Sequence, residues 1–235
     1  EDEASGLKMA CGAADAAPQV ALLDPELTCS TPRAVTALAG LDALGHALET
    51  AVTRDRSVLS DLFAEKAFRL LAGAFERVLV APDDLAARAA MQLGACCAGL
   101  AIEHSMLGAA HSLANPLTAR FELAHGAAVG LMLPHVVRFN AELPAVRRRY
   151  AELGAWLPGL DEPFERLCAF LGRVLELAEL PRSLAQHGVG PGELPGLAEL
   201  AEQQWTAQFN PRPVGRAEFE RILVSALHGA PSNLC

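Results

Sequence analysis

From Thr31 to its end the chain is written largely in Ala and Leu, interrupted at intervals by Pro, Gly and Asn. That pattern constrains the fold more than any other feature. Ala and Leu favour helix, while the Val, Ile and Tyr that a rich sheet needs are thin. The expectation is a mainly α molecule built as a helical bundle over residues 29–235. The segment TPRAVTALAGLDALGHALETAV predicts a first helix, with Ser30 or Thr31 as N-cap and Pro32 in the first turn. A second is predicted over Val58–Val80. A third begins after Pro82 and Asp83 and runs through ARAAMQLGACCAGLAIEH, where Gly94, Ala95, Cys96, Ala98 and Gly99 let a neighbour approach closely. Further helices are predicted at 110–119 and through HGAAVGLMLPHVVRFN, with Pro134 bending or interrupting the latter. The remaining predicted helices are 145–157, 162–177, 194–207 and 216–227.

Residues 1–28 read differently. LKMAC and QVALLD are short apolar runs separated by GAADAAP, which predicts two short strands and a loop. Two strands do not make a stable sheet alone. They are therefore expected to pack on a domain outside this sequence. The chain opens on Glu1 rather than Met, as expected of a processed or trimmed protein.

A formal charge of −9 disfavours a general nucleic-acid role, because little in the chain would track phosphates. Arg147, Arg148 and Arg149 are expected to mark one solvated helix face. The six cysteines (Cys11, Cys29, Cys96, Cys97, Cys168 and Cys235) show no CxxC spacing, so a reduced, cytoplasmic protein is expected. No apolar run reads as a membrane span and none as a signal peptide.

Four residues stand out as candidate metal ligands. Asp42 and His46 sit four apart in GLDALGHALET; His111 and His125 sit fourteen apart in HSLANPLTARFELAHG. Residues four apart on a helix share a face, so Asp42 and His46 can aim at one point. One carboxylate and three imidazoles suit a borderline cation such as Fe²⁺, Zn²⁺, Ni²⁺ or Mn²⁺. Such a centre would act as a Lewis acid on an oxygen-bearing substrate. Each pair alone is a weak signal, since a buried His is more often a hydrogen-bonded core residue. Glu49 and Glu103 are candidate partners of an imidazole, with solvent-facing charge the plainer reading. His104 is read as a surface or core residue, His135 as packing or capping a helix, and His187 and His228 as surface groups. Asn210 and Pro211 form a turn before the last helix.

The wider segments holding both pairs resemble the iron-containing (group III) alcohol dehydrogenase family. ALLDPELTCSTPRAVTALAGLDALGHALET is similar to the stretch leading into that family's first two ligands, and HSMLGAAHSLANPLTARFELAHGAAVGLMLPHVVRFN to the stretch carrying the other two. LPRSLAQHGV and NPRPV match its C-terminal layout. The resemblance implies Asp42, His46, His111 and His125 as metal ligands and an all-helical, dehydroquinate synthase-like C-terminal domain. It also implies hydride transfer between an alcohol or aldehyde and NAD or NADP; separately, the charge and apolar pattern lead one to expect no nucleic-acid or membrane partner, and a homo-oligomer is expected. Residues 1–28 would then be the tail of the family's nucleotide-binding domain. No GxGxxG occurs in the chain, so cofactor binding cannot be placed on named residues. Asn115 stands four residues after His111, where many members carry a further His.

Two other classes compete at this stage. One is a non-catalytic, standalone helical metal-binding or interaction module derived from the family. The other is a purely structural bundle whose histidines are ordinary core or surface groups. If the chain stands alone, the face that would line the interdomain cleft is bare and self-association is expected.

Overall fold

The computed structural model describes residues 18–229. Among them the chain forms nine α-helices and no strand: α1 (Arg33–Thr50), α2 (Val58–Val80), α3 (Leu85–Glu103), α4 (Ala109–Phe121), α5 (His125–Asn140), α6 (Pro144–Gly154), α7 (Pro163–Leu177), α8 (Leu194–Glu202) and α9 (Arg216–Leu227). Helix α1 is the centre of the bundle. It packs on α2, α3 and α5, while α4 lies between α5 and α8, and α9 closes against α5 and α8.

The boundaries follow local chemistry. Ser57 caps α2, its Oγ accepting from the Ser60 amide while Ser60 Oγ accepts from the Ser57 amide. Asp84 caps α3 by accepting from the Ala87 amide at 3.0 Å, and its other oxygen takes Arg77 from the end of α2 at 2.6 Å. The α2–α3 turn is thus pinned from both sides. At α1 neither Ser30 nor Thr31 caps; Pro32 holds the cap position with no side-chain hydrogen bond. Pro134 does not interrupt α5, which runs unbroken through it. The predicted 194–207 helix is two elements: α8 stops at Glu202 and Trp205–Phe209 forms a separate 3-10 turn.

Of the two predicted strands, LKMAC lies outside the described residues. Residues 19–24 carry no strand. A strand needs a ladder partner, and none lies beside this segment among the described residues; Val20 and Leu22 point to solvent, 76% and 90% exposed.

Glycines set how closely α1 and α5 approach. A Cβ on Gly126 would lie 2.1 Å from the Leu38 carbonyl oxygen, and one on Gly45 would lie 2.5 Å from a Val129 methyl. Only hydrogen fits at either point. The contact brings the start of α5, with His125, against the middle of α1, which carries Asp42 and His46. One long helix, α3, is apolar enough by length and composition to cross a membrane, contrary to the sequence reading, but it packs along α2 and α1.

Candidate metal centre

One stripe of α1 bears Asp42 and His46, both half-buried, and one turn further on, Glu49, which is 3% exposed. Helix α4 points its first turn at this stripe. Its N-cap, Gly108, offers no side chain, so the free amides that every helix start presents must find partners elsewhere. Glu49 supplies them: one oxygen accepts from Ala110 at 2.6 Å and the other from Gly108 at 3.0 Å. Asn210 adds an acceptor for the Ala109 amide at 3.3 Å and pairs reciprocally with Asn140 at the end of α5. The negative charge of Glu49 also sits at the positive end of the α4 dipole.

The same carboxylate fixes His111. Glu49 Oε2 lies 2.6 Å from His111 Nδ1, so Nδ1 carries the proton and Nε2 faces Asp42. Three donor atoms then converge from three helices: Asp42 (α1), His111 (α4) and His125 (α5) each offer one within 4.8 Å of the others. Asp42 Oδ1 is 3.4 Å from His111 Nε2 and 3.5 Å from His125 Nε2. His46 serves the other face of the same carboxylate, its Nε2 3.6 Å from Asp42 Oδ2 and its ring stacked on His111 at 4.9 Å between centroids.

These distances fit a cation. Ligand bonds of ~2.1 Å in a tetrahedron separate the donors by ~3.4 Å. Asp42 Oδ1 and His111 Nε2 are also buried without a hydrogen bond. With Nδ1 protonated towards Glu49, both are acceptors facing each other, an arrangement that calls for positive charge between them. A proton on His111 Nε2 would meet the same demand. Burial works against the His111 cation, but Asp42 and Glu49 outweigh it and raise the imidazole to about 9. Burial likewise opposes ionisation of Asp42, yet His111, His46 and His125 hold its carboxyl down at about 2. Burial and the nearby His111 push His46 down to about 4. Glu49, though buried, is held below the usual carboxylate range by His111 and the Gly108 and Ala110 amides.

Of the four sequence candidates, Asp42, His111 and His125 bring donor atoms within 4.8 Å of one another, while His46 lies beside that group, against Asp42 Oδ2 and stacked on His111, and outside it. Glu49 is not the solvent-facing charge expected of it. The signal was present: Asp42, His46 and Glu49 fall on one helical stripe. In the sequence Asn210 reads only as a turn residue, and no local pattern reveals its ties to positions 109 and 140. Glu103 and His104 are exposed, His104 stacking on Phe63, and stand apart from the cluster. His135 Nδ1 meets Ser225 of α9 at 2.9 Å. Asn115 is half-buried, its amide donating to Gln204 at 2.9 Å.

The fold and this cluster define the class. The chain belongs to the Fe-containing alcohol dehydrogenase family, whose C-terminal region matches residues 36–227. It is 32% identical over 215 residues to the 1,3-propanediol dehydrogenase of Klebsiella pneumoniae, covering 89% of this chain and 55% of that protein. It is 31% identical over 232 residues to the NAD-dependent methanol dehydrogenase of Bacillus methanolicus, covering 96% and 60%. Among solved structures, a 1,3-propanediol oxidoreductase superposes with a TM-score of 0.81 at 31% identity, over 87% of this chain and 55% of the other. Maleylacetate reductase from Agrobacterium tumefaciens gives 0.76 at 30%, over 88% and 56%. The chain therefore spans a little over half the length of these relatives.

Proposed function

We propose that this chain supplies the metal-binding part of an oxidoreductase that transfers hydride between a small alcohol and NAD or NADP, or back to the aldehyde or ketone. The observation that supports the reading most is the convergence of Asp42, His111 and His125 from three helices in a chain of this family. Asp42, His46, His111 and His125 would hold the cation, Fe²⁺ foremost, with Zn²⁺ or Ni²⁺ as alternatives. Such a cation would supply a Lewis acid of net charge near +1 within this donor set, suited to an oxygen gaining negative charge. Within the same reading, residues 1–28 end a nucleotide-binding domain, 29–235 form the helical domain, and the intact enzyme is a cytoplasmic homo-oligomer.

The chain's own residues prepare the site. Glu49 locks the His111 tautomer and turns Nε2 inward. Asp42 supplies fixed negative charge at the point where three imidazoles meet. Asn115 presents an amide, which orients a neighbour but relays no proton near neutral pH. Methanol, 1-propanol and 1,3-propanediol, the alcohols in the names of the relatives, are the first substrates to try.

The test is substitution with Co²⁺. The chain should develop the visible bands of a low-coordinate cobalt centre, and saturating 1-propanol should shift them. Bands that no alcohol moves would overturn the proposal.

A further inference from the structure

Arg88, in the first turn of α3, lies apart from the metal centre. It is 3% exposed. Its Nε donates to the Pro82 carbonyl at 2.8 Å and its Nη1 to Thr36 Oγ1 at 3.0 Å. Both acceptors are neutral. Among the described residues no carboxylate pairs with the guanidinium, and Nη2 makes no hydrogen bond. A buried charge without a counter-charge is costly unless something completes it.

The space beside it is open. Arg88 lines a cavity of about 190 Å³ between α1, α2 and α3. Its walls are mainly carbon, from Ala43, Leu71, Val78 and Met91, and Ala39 and Ala95 stand exposed at its mouth. No residue of the metal cluster lines it. Thr36, which accepts from Arg88, keeps a hydroxyl proton to donate.

We infer that this cavity binds a small aliphatic monocarboxylate, with the carboxylate on the open side of the Arg88 fork and the alkyl chain against the carbon walls. A planar guanidinium matches a carboxylate through two parallel hydrogen bonds. A phosphate, more heavily charged, would be stripped of more water against the carbon walls. The volume equals that of about six waters, which suits a molecule the size of butyrate. The inference is independent of the dehydrogenase reading.

The full chain is treated with chelator, so that no metal takes the carboxylate, and titrated with butyrate, 1-butanol or inorganic phosphate by calorimetry and thermal unfolding. Butyrate should bind saturably and raise Tm; 1-butanol and phosphate should do neither. Ala95→Leu fills the mouth and leaves Arg88 in place, so it should weaken butyrate at least ~10-fold, as should Arg88→Lys, which keeps charge but loses the fork. Asp42→Asn should bind butyrate like the parent. The inference fails if butyrate gives no saturable effect, if phosphate substitutes for it, if Ala95→Leu retains full affinity, or if Asp42→Asn abolishes binding.

Discussion

At the scale of single residues, Glu49 is the group on which the site turns. It caps α4 and holds the His111 ring with one carboxylate, so fold and candidate chemistry share it. Glu49→Gln keeps the size but weakens the grip on Nδ1–H. Metal affinity should drop roughly 10–100-fold, as for other partners of metal-bound imidazoles; competition with a chromophoric chelator measures it, and an unchanged affinity would contradict the role. His135 gives a separate, pH-dependent prediction. Burial and Arg138 lower it from 6.5 to about 4, while Ser225 on α9 faces its Nδ1. Between those values the unfolded chain binds more protons than the folded one, so stability falls as pH drops through that window. Urea midpoints at pH 7 and pH 5 should therefore differ less in His135→Gln than in the parent.

At the scale of elements, the glycines of α1 and α5 decide whether the ligands can meet. Gly126→Ala drives a methyl into the Leu38 carbonyl, which is backbone and cannot swing aside. The expected cost is about 3 kcal/mol or more, at the upper end for overpacked cores, read from denaturant unfolding, with metal binding lost in parallel. A near-neutral substitution would mean the helices separate freely. Element boundaries were legible where a cap or punctuating residue stands in the chain: α2, α5 and α9 match the sequence reading end to end. They were not where tertiary contacts decide. The break after Glu202 follows no Pro or Gly, and Pro134 is carried within α5 because that helix is packed along α1, α4 and α9. The four ligand candidates were legible as spacing and resemblance. Their convergence was not, since it depends on Gly45, Gly126 and the caps from Glu49 and Asn210, whose partners are distant in sequence.

At the scale of the whole molecule, the bundle leaves apolar side chains bare, among them Leu59, Leu62, Leu93 and Leu100 along α2 and α3 and Val35 on α1. Surfaces of this kind rarely stay uncovered. Sedimentation well above micromolar concentration should show species larger than the monomer, and a single sharp monomer would count against it. The same assembly of helices exists, in this account, to hold one cation between α1, α4 and α5. The most direct measurement is elemental analysis after exhaustive dialysis, comparing the parent with His111→Ala and His125→Ala, each checked for native helix content. The parent should hold about one divalent metal per chain, from the one donor cluster among the described residues, and either variant almost none. Equal metal in all three proteins, or none in the parent after loading with Fe²⁺, Zn²⁺ or Ni²⁺, would contradict it.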